Sequence, residues 1–136
     1  MSPPQLPVVA LDHVGVAVES AGAPLAGLLG APAALTRMAS GVAVGRFGPE
    51  SALEVVVPMR PGNPLERFLE RRGPGLHHVA LRVDEPLDEL LPALEAAGFD
   101  AVGPIEPSSD GRPCLFLHPS TTGGVLVELV EGPPRR

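Results

Sequence analysis

Two histidines and two glutamates have side chains and surroundings that suit metal binding. Each lies within a run of apolar residues, where a charged side chain is costly unless it is exposed, paired or bound to a metal. Two imidazoles and two carboxylates suit a divalent cation and leave coordination positions for water or a substrate. The four candidates are His13, Glu54, His78 and Glu128.

The four candidates occupy equivalent places in two copies of one sequence pattern. Each copy begins with an alternating strand that carries the histidine and ends with a strand that carries the glutamate. Taken singly, each residue is better explained by a strand with one face exposed to water than by a ligand. Taken together, they converge on one point if the copies pack about a pseudo-twofold axis. His77 lies on the opposite strand face from His78 and is predicted to have a packing or surface role instead.

The elements that must position these residues form two modules of roughly βαβββ order. In the second half, residues 87–98 have the leucine spacing of an amphipathic helix with a glycine stop. The first half offers only a shorter and weaker helix at Pro24–Gly30. Between the halves, Asn63 is expected to cap a helix over Pro64–Arg72. Further strands are expected at Gly41–Phe47 and Cys114–Leu117.

We therefore predict one α+β domain over residues 1–136, with a cupped mixed sheet around a central metal site. Its first module spans about residues 9–58, a linker helix occupies residues 59–75, and its second module spans about residues 76–131. A chain of 136 residues is long enough for one modest core.

Composition excludes several classes of function. The formal net charge of −6 disfavours nucleic-acid binding, which needs a basic surface. All ten basic residues are Arg, so Schiff-base chemistry and lysine phosphate clamps are excluded. The lone Cys114 cannot form an intrachain disulfide, and its apolar surroundings favour a small buried side chain over a nucleophile.

The expected compartment is the cytoplasm, without membrane association. Pro, Gly or a charge interrupts every apolar stretch before it reaches membrane-spanning length. The start of the chain has neither the basic region nor the apolar region of a signal peptide.

Four short segments resemble the metal-site strands of the vicinal oxygen chelate superfamily, which includes glyoxalase I, extradiol dioxygenases and bleomycin-resistance proteins. They are Asp12-His13-Val14, Leu53-Glu54-Val55, His77-His78-Val79-Ala80 and Val127-Glu128-Leu129. Within that superfamily, the blocks Asn63–Ala80 and Phe116–Glu131 are similar to methylmalonyl-CoA epimerases. The resemblance extends from about Val9 to Glu131, which is nearly the whole chain.

The resemblance implies that His13, Glu54, His78 and Glu128 bind a divalent metal, with Co, Zn, Ni, Mn and Mg as the candidates. It implies a 1,1-proton transfer at the α-carbon of methylmalonyl-CoA or a similar acyl-CoA thioester. Glu128 is then the first candidate for the base, because a ligating carboxylate can loosen and sit beside the α-proton. A homodimer is the expected assembly.

The sequence departs from the epimerase pattern in three places. The first helix is short, the His-Pro-Lys segment reads His118-Pro119-Ser120, and Gly41–Gly45 has no carboxylate where some members have a proposed base. Two alternatives therefore stay open. One is another enzyme of the superfamily, such as a glyoxalase I-type lyase or isomerase, and the other is a non-catalytic small-molecule binding or resistance protein.

Overall fold

The computed structural model describes residues 6–19, 28, 35–47 and 52–132. Apart from Leu28, the helix expected at Pro24–Gly30 lies outside these residues. Among the described residues, no helix is both long and apolar enough to cross a membrane. The described elements, in chain order, are β1 (Val8–Ala17), β2 (Thr36–Arg37), β3 (Val42–Arg46), β4 (Leu53–Pro58), α1 (Pro64–Arg72), β5 (Gly75–Val83), α2 (Leu87–Ala96), β6 (Ala101–Pro107), β7 (Pro113–Leu117), a 3₁₀-helix (Pro119–Thr121) and β8 (Val127–Glu131).

The same strand arrangement occurs twice. The chain divides into two compact units, one from His13 to His77 and the other from His78 onward together with the segment up to Asp12. We call β1–β4 the first module, and β5–β8 with α2 the second module. The strand order is β2-β3-β4-β1 in the first module and β6-β7-β8-β5 in the second. The predicted α+β fold with two similar modules is confirmed.

Pairing directions also repeat. In each module the histidine strand pairs in parallel with the glutamate strand, as β1 with β4 and as β5 with β8. The remaining pairs of both modules are antiparallel. Each module is therefore a mixed sheet in which the two candidate strands are hydrogen-bonded neighbours.

In the second module, α2 covers the sheet face opposite His78. The strand alternation places Val79, Leu81 and Val83 on that face, and Val83 is almost fully buried. The helix contributes three buried leucines, each of which stabilises the fold by about 1.5–3 kcal/mol. At its start, the carboxylate of Glu131 accepts a hydrogen bond of 2.8 Å from the backbone N–H of Leu87. The main residues of this core are Val83, Leu87, Leu90, Leu94, Leu115, Leu117 and Leu129.

Helix α1, which follows the first module, packs on the face of that module's sheet that carries His13 and Glu54. Leu65 and Leu69 of α1 form a buried cluster with Ala17 and Val56. By strand alternation, Ala17 shares a face with His13 and Val56 shares one with Glu54. The opposite face is a separate apolar cluster that includes Val18, Phe47, Val55 and Val57.

Asn63 fixes the start of α1, as the sequence predicts. Its side-chain oxygen accepts a hydrogen bond of 3.1 Å from the backbone N–H of Glu66. Its side-chain nitrogen donates to the carbonyl oxygens of Gly41, at 3.0 Å, and Arg60, at 2.8 Å. Gly41 has φ of 90°, and a Cβ there would lie 2.7 Å from Nε of Arg60. The cap therefore joins α1 to the turn that precedes β3.

Candidate metal centre

In the first module, the structure brings His13 and Glu54 together. Parallel pairing places Gly15 of β1 opposite Glu54 of β4, so His13 and Glu54 point to the same side of the sheet. The Nε2 atom of His13 lies 2.7 Å from Oε2 of Glu54, and the two side chains are 2% and 3% exposed. Gly15 and Ala17, on the same face, add little bulk beside the pair.

In the second module, the structure places His78 near Glu128 in the equivalent arrangement. Ala80 of β5 is the register partner of Glu128 on β8. The Nε2 atom of His78 lies 3.8 Å from Oε1 of Glu128, and the side chains are 5% and 8% exposed. The ring of Phe116 meets the His78 ring edge-on, with centroids 5.5 Å apart, which restricts the orientation of the imidazole.

Cys114 is a partner of Glu128. Burial, the negative charge of Glu128 and a hydrogen bond to Glu128 together raise the pKa of the Cys114 thiol to about 12. At neutral pH the group is therefore a thiol that donates to the Glu128 carboxylate. Cys114 is buried, as predicted, and it is no nucleophile. No pattern in the sequence predicted the contact between Cys114 and Glu128.

His77 is separate from the candidate ligands within its own module. Its ring makes an edge-to-face contact with Phe68 of α1, with centroids 5.0 Å apart. The side chain is half-buried, whereas His13 and His78 are buried. This packing contact agrees with the role predicted for His77.

The chemistry of these side chains fits a metal ion. Each module has one imidazole and one carboxylate in the dry interior, where unpaired charge is costly. An imidazole beside a carboxylate is an established arrangement for ligands of Zn²⁺ and related ions. Each pair can therefore contribute two ligands to a divalent cation.

Comparison with known proteins points to one enzyme activity. The chain is 36% identical over 130 residues to an ethylmalonyl-CoA/methylmalonyl-CoA epimerase of Cereibacter sphaeroides, covering 89% of this chain and 96% of that protein. It is 33% identical over 129 residues to the mitochondrial methylmalonyl-CoA epimerase of Bos taurus, covering 89% and 73%. No protein-family model matches the chain.

Solved structures agree with this relationship. A crystal structure of methylmalonyl-CoA epimerase from Mycobacterium tuberculosis superposes with a TM-score of 0.77 and 30% identity, over 96% of this chain and 93% of that one. A Streptomyces coelicolor methylmalonyl-CoA epimerase variant in complex with 2-nitronate-propionyl-CoA has the same fold, with a TM-score of 0.79 and 24% identity over 92% of this chain and 98% of that one.

Proposed function

The chain belongs to the methylmalonyl-CoA epimerase family, and from this we propose that it inverts the α-carbon of methylmalonyl-CoA or a closely similar acyl-CoA thioester. The observation that carries the proposal is the buried His–Glu pair in each module of a chain so similar to a known epimerase. The family is one of isomerases, so the protein is an enzyme rather than a binding module.

We further propose that His13, Glu54, His78 and Glu128 bind one divalent cation. His13, His78 and Glu128 are all buried, and each is of a residue type that binds divalent cations. Glu54 is added because it lies beside His13 at hydrogen-bonding distance and repeats the position of Glu128. A bound cation supplies positive charge that stabilises the negative charge developing on the thioester oxygen when the α-proton leaves.

Glu128 is the proposed base. A carboxylate can accept the α-proton of a bound thioester directly, and a base is most effective when it is held in a fixed position. The Cys114 thiol, whose pKa its hydrogen bond to Glu128 helps to raise, stays protonated at neutral pH and does not compete for the α-proton. His13 and Glu54, which lie closer together, would hold the cation without transferring a proton.

Loss of the α-proton in deuterium oxide tests this function. Metal-loaded protein is expected to exchange the α-proton of methylmalonyl-CoA for deuterium, as followed by proton NMR, and a chelator should abolish exchange until metal is added back. Ethylmalonyl-CoA in a parallel reaction measures the tolerance for a larger α-substituent. Conversion of a hemithioacetal without any α-proton exchange would instead assign the protein to the glyoxalase I type.

Substitution of the two neighbouring histidines tests the ligand assignment. Replacing His78 with Ala is expected to abolish metal retention, because an imidazole ligand is lost. Replacing His77 with Ala is the matched control, and its metal content should equal that of the wild type. Normal metal content in the His78→Ala variant, measured by elemental analysis, would refute the assignment.

We propose a cytoplasmic homodimer as the working form. This assembly is carried over from the family resemblance, and light scattering of the purified protein measures it directly. A monomer with full exchange activity would contradict the dimer and leave the enzymatic proposal intact.

A further inference from the structure

A buried ion pair lies directly beside the first candidate ligand. The guanidinium of Arg112, which precedes β7, binds the carboxylate of Asp12 through two hydrogen bonds, NH1 to Oδ1 at 2.8 Å and NH2 to Oδ2 at 3.0 Å. The Asp12 side chain is 1% exposed and that of Arg112 is 12% exposed. Asp12 is joined to His13 by a single peptide bond, so the pair fixes the backbone immediately before that histidine.

A second carboxylate holds Arg112 in place. Its Nε atom donates to Oδ2 of Asp110 at 2.9 Å. Asp110 also accepts a hydrogen bond of 2.6 Å from the hydroxyl of Ser108, and the backbone N–H of Ser108 donates to the carbonyl of Arg112 at 2.8 Å. The loop between β6 and β7 therefore presents the guanidinium in a fixed orientation, which lowers the entropy lost in binding Asp12.

Removing only one partner of the ion pair between Asp12 and Arg112 is costly. A buried carboxylate that loses its partner keeps the full penalty of desolvation. Burial alone would lower the pKa of Arg112, but hydrogen bonds and charge from Asp12 and Asp110 outweigh burial and raise it. Arg112 therefore stays charged at neutral pH.

We propose that Arg112 is a positioning residue for His13, acting through Asp12 to hold the imidazole in the geometry that the metal requires. The inference rests on the proposed metal site. Ligand groups must be held to within about 0.5 Å of the required position. Residues that orient a ligand indirectly typically change metal affinity by about 10–100-fold when they are replaced.

Cobalt affinity measured without substrate tests this role. Arg112→Met keeps an unbranched aliphatic stem but removes the guanidinium and its donors, and its dissociation constant for Co²⁺ is expected to rise by about 10–100-fold. Arg112→Lys should recover part of the affinity, because one charged donor replaces a bidentate pair. Asp110→Asn is the matched control, since its amide oxygen can still accept from Nε of Arg112 and the pair with Asp12 stays intact. Its cobalt affinity should stay near the wild-type value.

Measurements of turnover distinguish a role of Arg112 in positioning His13 from a role in stabilising the fold. At saturating Co²⁺, Arg112→Met is expected to lower kcat for α-proton exchange while KM for methylmalonyl-CoA stays near its wild-type value. A lower Tm with unchanged cobalt affinity would overturn the inference and leave the pair a stabilising contact. If Arg112→Met does not fold, equal cobalt affinities for Arg112→Lys and Asp110→Asn overturn it. Wild-type protein that binds no cobalt would contradict the proposed metal site itself, and this inference with it.

Discussion

The two glutamates of the candidate site have different surroundings, although their positions in the modules are equivalent. Glu54 lies 2.7 Å from the imidazole of His13, whereas Glu128 lies 3.8 Å from that of His78 and accepts the thiol of Cys114. The geometry therefore ties Glu54 more closely to its histidine. This asymmetry suits a division of labour in which both bind metal and Glu128 also accepts the proton.

Replacing each glutamate with glutamine tests that division. The amide oxygen can still coordinate a cation but cannot take a proton, so Glu128→Gln should keep substantial metal and lose about 100-fold or more in α-proton exchange. Glu54→Gln should be much milder. Exchange rates are compared at equal metal occupancy, and equal losses in the two variants would leave both residues as ligands only.

Cys114 is expected to make the free energy of unfolding decrease as the pH becomes alkaline. Its raised pKa, about 12, favours the protonated thiol in the folded state. The resulting stability is fully present below the thiol's unfolded pKa of about 8.5 and is lost as the pH rises through the folded value. The chain has no Lys and no Tyr, so Cys114 is the one side chain that titrates in this window.

The expected result is a fall in the free energy of unfolding of metal-free protein above about pH 9, by about 1.4 kcal/mol per pH unit at most. Cys114→Ala should remove this dependence and otherwise cost stability at every pH, because a buried side chain is shortened. Denaturant unfolding at several pH values measures both. The same alkaline decline in the Cys114→Ala variant would show that another group is responsible.

At the scale of the elements, Asn63 holds α1 to the turn before β3. Asn63→Ala removes the cap and two further hydrogen bonds, and is expected to destabilise the protein by about 2–3 kcal/mol. Asn63→Asp should cost less, because its carboxylate still accepts from the N–H of Glu66 but cannot donate to Gly41 or Arg60. Urea denaturation measures the free energy of unfolding of both variants. Equal losses would show that the hydrogen bonds donated to Gly41 and Arg60, rather than the helix cap, account for the whole contribution of Asn63.

Local sequence signals predicted the elements that have a strong pattern. Asn63-Pro64 marked the start of α1 at the residue where the structure has it, because capping depends on neighbours in the chain. The βαβββ order implied a strand where β6 lies but did not assign its residues, because β6 is exposed along nearly its whole length and has no apolar alternation. Gly103 and Pro104 also interrupt it where its register with β7 shifts.

Only those residues of the candidate site that occur in both copies of the repeated pattern could be predicted from the sequence. His13 and His78 stood out because each opens a copy of the same pattern, and a repeated polar residue in an apolar strand is informative. The pair of Asp12 and Arg112 spans 100 residues and occurs once, so no local pattern could indicate it. Its contact depends on how distant strands come together, which spacing along the chain does not encode.

At the scale of the whole molecule, duplication gives each module an incomplete ligand set. One imidazole and one carboxylate are too few for a stable structural metal site, which usually has four protein ligands. If the proposed single cation takes ligands from both modules, its binding energy contributes to the stability of the entire chain. Metal binding then becomes a measure of the integrity of both modules.

The expected consequence is a single metal-dependent shift in thermal unfolding. Cobalt at about 100 times its dissociation constant should stabilise the wild type by about 2.7 kcal/mol relative to chelator-treated protein. His13→Ala and His78→Ala should each abolish the whole shift, because either substitution breaks the same site, whereas His77→Ala should retain it. If each pair instead bound its own cation, each single variant would keep about half of the shift, and elemental analysis of the wild type would give two ions per chain. Either result would contradict the single shared centre.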